Sequence, residues 1–122
     1  MDRCQSAMGS RLLKRWIEMP LIDVNEIIKR QKAVKTLTED FLLRENLKEH
    51  LVYVYDMERL ASRMAYGNAS PRDVLQLVAT LEHAKPILNL AANIEGWSEF
   101  QNVNDCHELY ERSKVLLWII LL

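Results

Sequence analysis

Hydrophobic residues recur along this chain at intervals of three or four positions, which is the period of an α-helix. The first stripe predicts a helix from about Ser6 to Glu18 that stops before Pro20. Its apolar members are Met8, Leu12, Leu13, Trp16 and Ile17. Only three glycines and three prolines occur, so few residues interrupt the pattern. The pattern predicts an all-α fold, an irregular bundle of about six helices.

Two more helices are predicted in the first half of the chain. Asp23 opens the second helix, and Glu26 three positions later completes a capping-box pattern. Its apolar positions are Val24, Ile27, Ile28, Val34 and Leu37. The third helix follows Thr38, with apolar positions Phe41, Leu42, Leu47 and Leu51. The short apolar run at 52–55 is compatible with a strand, but a link between helices is favoured.

The most strongly marked part of the sequence is DMERLASRMAYGNASPRD, residues 56–73. The fourth helix, predicted at 56–66, has an apolar face of Met57, Leu60, Ala61 and Met64, with Arg59 and Arg63 on the opposite face. Gly67 favours the left-handed conformation that closes a helix. Ser70 is a preferred cap for the next helix, Pro71 fits its first position, and Asp73 complements its exposed N–H groups. These signals predict a sharp joint between two helices.

The last two predicted helices differ in how they end. The fifth begins at Ser70 and should kink or end at Pro86. Its inward positions are Val74, Leu77, Val78, Leu81 and Ala84. Residues 97–104 are polar and irregular, and a final helix runs from about Asp105 into VLLWIILL. That ending is apolar on every side, which predicts that it is not an exposed amphipathic helix.

Length and charge narrow the class of protein. At 122 residues the chain holds one hydrophobic core, so residues 1–122 are predicted to form a single helical domain. Sixteen basic and 17 acidic side chains argue against a surface devoted wholly to nucleic acid or an anionic membrane. Residues 1–35 carry eight of those basic side chains and four acidic ones. A solvated helix face explains them best, and direct DNA binding by the first two helices is a weaker alternative.

Cysteine usage and hydropathy indicate a cytoplasmic location. Cys4 and Cys106 are far apart and belong to no CxxC pattern, which predicts a reduced chain. The N-terminal sequence lacks a secretory-signal pattern. The longest apolar run has eight residues, 115–122, whereas a membrane-spanning helix needs about 20. No membrane partner is expected.

Histidines and carboxylates are the first candidates for chemistry. No metal-binding spacing relates His50, His83 and His107, so solvated or capping roles are predicted for them. Asp56, Glu58 and Asp73 lie at helix N-termini, where the helix dipole already explains acidic residues. We therefore predict no catalytic and no metal-binding residues.

Two sequence features bear on nucleotide and base recognition. The pattern GxxxxGK[ST] does not occur, so the chain has no P-loop of its own and no predicted cofactor-binding residue. Trp16, Trp97 and Trp118 are candidates for stacking on bases. Because Trp16 lies on the apolar stripe and Trp118 in the apolar tail, core packing is favoured for both.

Two separated blocks carry a family resemblance. The sequence AMGSRLLKRWIEMPLIDVNEIIKRQKAV is followed by YDMERLASRMAYGNASPRDVLQLVATLEHAKPIL. Together they resemble the first part of the core, or lever, domain of the MutS DNA mismatch-repair family, over about residues 5–90. The matching positions of the first block are Gly9, Arg11, Leu13, Trp16, Pro20, Leu21, Ile27 and Arg30. Those of the second are Asp56, Glu58, Arg59, Leu60, Arg63, Gly67, Pro71, Arg72, Asp73 and Leu75.

The resemblance implies a structural role. In MutS proteins this helical segment links the connector domain, the DNA clamp and the ATPase domain, and carries conformational signals between the ATP site and mismatched DNA. The chain is then a fragment without enzymatic activity, whose parent dimer binds DNA, ATP and magnesium through domains absent here. Its implied partners are those other domains, and its implied location is the cytoplasm, associated with the bacterial nucleoid.

The tail departs from the resemblance. Residues 97–122 match the family poorly, and they are predicted to end in an apolar C-terminal helix. Exposed, such a helix favours self-association. A stand-alone interaction or dimerisation module therefore remains as the alternative to a MutS segment.

Overall fold

The structure is a computed structural model that describes residues 2–97, 103 and 106–121. Within these residues it contains six α-helices and no strand, so the all-α prediction is confirmed. The helices are α1 (Ala7–Glu18), α2 (Val24–Glu39), α3 (Phe41–Leu51), α4 (Met57–Ala65), α5 (Pro71–Ala91) and α6 (His107–Leu121). The predicted link at 52–55 is a turn followed by extended chain. Of the irregular stretch predicted at 97–104, residues 98–102 and 104 lie outside the described residues.

Helix α5 is the centre of the packing, because it contacts α3, α4 and α6. One core joins α2, α3 and the end of α5, around buried Ala33, Leu43, Leu47 and Ile94. The other joins α4, α5 and α6, around buried Leu60, Leu77 and Leu81 with Tyr110 packed against them. Leu77 and Leu81 belong to the predicted inward face of α5, and their burial confirms the prediction at these two positions.

Short-range capping explains where the helices begin. The side chains of Ser6, Asp23, Asp56 and Ser70 each accept a hydrogen bond from a backbone N–H in the first turn of α1, α2, α4 and α5. Asp40 caps α3 in the same way. The capping box predicted for α2 is only half formed, because the Glu26 carboxylate accepts a hydrogen bond from Lys29 Nζ at 2.6 Å.

Pro86 does not end α5, which continues to Ala91. Proline removes one backbone donor and crowds the carbonyl four residues earlier. Beyond it, Ile87 and Leu90 pack against the core that contains buried Ile94. Burial on both sides of the proline thus outweighs this local penalty. Of the two predicted outcomes, a kink or an end, the end does not occur.

Several apolar positions predicted to face a core are exposed. Phe41 and Leu42 are 64% and 69% exposed, because α3 turns Leu43 and Leu47 inward. In the tail, Val115, Leu116 and Ile119 are also exposed, contrary to the expectation for that helix. The side chain of Trp118 lies outside the described residues, so its predicted core packing stays a prediction.

Candidate interdomain surface and helix joint

The joint between α4 and α5 begins with a left-handed glycine. Gly67 has a φ of +71°, the conformation that glycine adopts at little cost and that closes many helices. The N–H of Asn68 donates to the carbonyl of Arg63 at 2.9 Å, and the N–H of Gly67 donates to that of Met64 at 3.1 Å. The predicted end of α4 at Gly67 is therefore confirmed by its backbone hydrogen bonds.

A capping box begins α5. Ser70 Oγ accepts from the N–H of Asp73 at 3.3 Å, and Asp73 Oδ2 accepts from the N–H of Ser70 at 2.8 Å. Ser70 Oγ also donates to Asp73 Oδ2 at 2.8 Å. Asp73 is only 5% exposed, so its carboxylate is a fixed part of the joint rather than a solvated charge.

An ion pair that the sequence did not predict closes the joint. Arg63 Nη1 donates to both oxygens of Asp73, at 2.8 and 3.1 Å. The hydrogen bonds from Ser70, together with Arg63, hold the pKa of Asp73 below its usual range. Arg63 belongs to α4 and Asp73 to α5, so the pair sets how the two helices meet.

A second polar bridge attaches α1 to the start of α4. The Arg11 guanidinium donates to Asp56 Oδ2 at 2.7 Å, to Asp56 Oδ1 at 2.9 Å and to Glu58 Oε2 at 3.0 Å. The contact with Arg11 holds the pKa of Asp56 below its usual range, and the two carboxylates raise that of Arg11. Carboxylates that the sequence explained by helix dipoles alone thus also hold the first helix.

Thr80 fastens the link before α4 to the middle of α5. Its buried hydroxyl accepts from the N–H of Tyr55 at 3.0 Å and lies 3.3 Å from the carbonyl of Tyr53 and 2.9 Å from that of Gln76. Both ends of α4 are therefore anchored to α5, one through Thr80 and the other through Asp73.

Helix α1 presents an apolar face that nothing in the described chain buries. No residue of α1 is buried, although the whole of this helix is described. Trp16 is 39% exposed and lies beneath the Arg30 guanidinium, 3.6 Å from its ring centroid. The core-packing interpretation of Trp16 is therefore wrong for this chain. We call the following exposed set the α1–α2 apolar face: Leu12, Leu13, Trp16, Ile17, Met19, Ile22, Val24 and Ile28.

Two histidines meet across α3 and α5, where solvated or capping roles were predicted. Nδ1 of His50 lies 2.8 Å from Nδ1 of His83, so one ring donates to the other. Tyr53 stacks on His83 with a centroid separation of 4.4 Å. The two histidines are 33 positions apart, and no sequence spacing marks such a pair. They tie the end of α3 to α5.

The described residues contain no cluster of three or more histidine, cysteine or acidic side chains suited to a metal ion. Nor is any helix in this part of the chain long and apolar enough to cross a bilayer. The described features are a helix joint fixed by hydrogen bonds, polar bridges between helices and an uncovered apolar face.

Comparisons with known proteins give the family. The family model described as MutS domain III matches residues 1–116. The DNA mismatch repair protein MutS of Bacillus subtilis (strain 168) is 49% identical over 94 residues, covering 77% of this chain and 11% of that protein. The protein of the same name from Listeria monocytogenes serotype 4a (strain HCC23) is 46% identical over 115 residues, covering 92% of this chain and 13% of that protein. No solved structure matches.

A third relative extends the match along the chain. The DNA mismatch repair protein MutS of Alkaliphilus metalliredigens (strain QYMF) is 41% identical over 120 residues, which is 93% of this chain and 14% of that protein. The chain therefore spans between 11% and 14% of the length of these three relatives. The match to the family model continues past the two sequence blocks, to residue 116. This chain belongs to the MutS domain III family.

Proposed function

We propose that this chain is a structural segment through which a MutS-type protein couples its ATP site to its hold on mismatched DNA. The observation that carries the proposal is the joint at 63–73, which lies in the matched part of the chain and is fixed by side chains on both helices. The segment has no activity of its own. ATP and magnesium would be bound by an ATPase domain elsewhere in the parent protein.

A joint of this kind suits the transmission of movement. Asp73 accepts hydrogen bonds from Ser70 and Arg63 while almost fully buried, so the angle between α4 and α5 cannot drift without breaking several contacts. Packed elements with few allowed arrangements switch between states instead of deforming continuously. Helices joined in this way can carry a displacement from one end of the segment to the other.

The α1–α2 apolar face supplies the contact with the rest of the parent protein. Ile17 is 72% exposed and Ile22 is 94% exposed, and exposed apolar surface of this kind marks an interaction site. The relatives are several times longer than this chain, so the parent contains other domains that can cover the face. We infer that those domains pack on α1, in a protein located in the bacterial cytoplasm and associated with the nucleoid.

The coupling role is tested in the full-length parent protein. Arg63→Gln removes the ion pair of the joint, and Gly67→Ala strains its left-handed turn. We expect ATP-triggered release from mismatched DNA to slow by about 2- to 30-fold, the usual range for mutations along a coupling path. ATP hydrolysis without DNA should stay near the wild-type rate.

Asp40→Ala is the matched control, because it removes a helix cap from α3 without touching the joint. It should leave DNA release unchanged, although it destabilises the fold by about 1 kcal/mol. Unchanged ATP-triggered release in both joint variants, measured by stopped-flow fluorescence, would refute the coupling role.

The exposed tail supports a second candidate function, self-association of this chain as a helical module. Val115 is 58% exposed, Leu116 is 54% exposed and Ile119 is 64% exposed, and their helix also carries apolar neighbours. The candidate predicts a dimer by size-exclusion chromatography with light scattering, dissociated by Leu116→Glu and retained in Leu75→Glu, a 49% exposed leucine on α5. A monomer at all concentrations would exclude it.

A further inference from the structure

An open cleft lies where the start of α1, the 52–56 link, α4 and the start of α5 meet. Its volume is about 630 Å³, and its lining includes Ser6, Val54, Asp56, Arg59, Arg63 and Arg72. The family relationship and the coupling proposal assign nothing to this cleft. Its wall carries three arginines and two aspartates.

The charges of the cleft are not balanced. Asp56 is engaged by Arg11 from α1, and Asp73 by Arg63, so both carboxylates already have cationic partners. Arg59 and Arg72 are exposed, and neither guanidinium is hydrogen-bonded or ion-paired with another described residue. The Arg59 backbone N–H donates to Asp56 Oδ1 at 3.3 Å, whereas the Arg59 guanidinium acts on that carboxylate only as a nearby positive charge. Two guanidinium groups in one concave site are therefore available to an anionic partner.

The shape and surroundings of the cleft favour carboxylates over a nucleic-acid backbone. A recess of 630 Å³ is too small to enclose a DNA duplex. Strong nucleic-acid binding also needs a long row of phosphate contacts. Two available guanidinium groups are too few for such a row of phosphates. Two adjacent carboxylates match the planar donor fork of arginine, one carboxylate for each guanidinium.

We propose that this cleft binds a protein segment that carries two neighbouring carboxylates, supplied by another part of the parent polypeptide. The inference rests on the proposed function, because it takes the chain to be one segment of a longer MutS-type protein. Exposed guanidinium–carboxylate contacts are individually weak. Weak contacts are sufficient for a segment tethered to the same polypeptide, because a short linker gives it an effective concentration in the millimolar range.

The test is a titration of the 122-residue chain at low salt, followed by NMR of the backbone and the arginine Nε–H groups. The probe is a hexaglutamate peptide, with hexaglutamine as the uncharged comparison. We expect weak binding, since exposed ion pairs contribute little each, with shifts confined to signals around the cleft. Arg59→Gln with Arg72→Gln should weaken binding by about fivefold.

The matched control is Arg15→Gln with Arg112→Gln, which removes the same charge from exposed positions outside the cleft lining. It should bind hexaglutamate with no more than a small change. Equal weakening in the two double variants, or no binding of hexaglutamate by the unchanged chain, overturns the proposal. Tighter, cleft-dependent binding of a 12-nucleotide single strand would assign the site to nucleic acid and overturn it too. Any of these results leaves the DNA-release test of the coupling role standing.

Discussion

Gly96 provides a sharp test of how the end of α5 packs on α2. It has a φ of +92°, and a Cβ built on it would lie 2.7 Å from the backbone oxygen of Lys29 and 3.3 Å from its carbonyl carbon. An alanine would first incur the left-handed backbone penalty of about 1–2 kcal/mol. Because the obstacle is helix backbone and not a mobile side chain, α2 would have to shift, which adds about 1–3 kcal/mol. Gly96→Ala should therefore destabilise the fold by about 2–5 kcal/mol.

Gly67→Ala is the matched comparison. Gly67 is also left-handed, with a φ of +71°, but nothing lies within 4 Å of its built Cβ. Only the backbone penalty applies, so we expect a loss of about 1–2 kcal/mol. The free energy of unfolding is measured by urea denaturation followed by far-ultraviolet circular dichroism. A loss for Gly96→Ala no larger than that for Gly67→Ala would refute the close approach of Gly96 to α2.

Three further predictions concern the polar contacts. Ser70→Ala should lower the unfolding free energy by about 2 kcal/mol, the upper end of the usual range for loss of a helix cap, because it also removes a donor to Asp73. The loss should exceed that of Asp40→Ala, and equal losses in urea denaturation would contradict this. Folding lowers the pKa of Asp73, so its ionised carboxylate stabilises the fold at pH values above the ordinary pKa of 3.8. This stabilisation is lost as the pH falls through the pKa of the folded state. In Asp73→Asn the free energy of unfolding should fall less steeply at acid pH than in the unchanged chain. An equal fall in both would refute the stabilising role of the Asp73 carboxylate. A double-mutant cycle of His50→Ala and His83→Ala should give a coupling of about 0.5–1.5 kcal/mol, whereas strict additivity would exclude their hydrogen bond.

The sequence predicted the helices and their joints well because the relevant interactions are short-range. Ser70 and Asp73 are three residues apart, and Gly67 directly follows the end of α4. Such signals can be read from adjacent positions without any tertiary information. The family resemblance rested on the same local blocks and is confirmed by the comparisons.

The contacts that position those helices could not be predicted in this way. Arg11 and Asp56 are 45 positions apart, and their pairing depends on how α1 lies against α4. The approach of Gly96 to Lys29 likewise depends on tertiary packing. The hydrophobic period identified the apolar face of α1 but not its exposure. No described residue buries that face, so a stripe that predicts a core can be an exposed surface.

Helices α5 and α1 are attached to the rest of the described chain in two different ways. Helix α5 is held by buried leucines on α3, α4 and its own inward face, and each buried leucine is worth a few kcal/mol. Helix α1 is attached instead through Arg11 and Trp16, both exposed by more than a third, and exposed polar contacts contribute little. The contacts of α1 with the described chain therefore stabilise its position much less than the buried leucines stabilise that of α5. Its contact with the start of α4 is the bridge from Arg11 to Asp56.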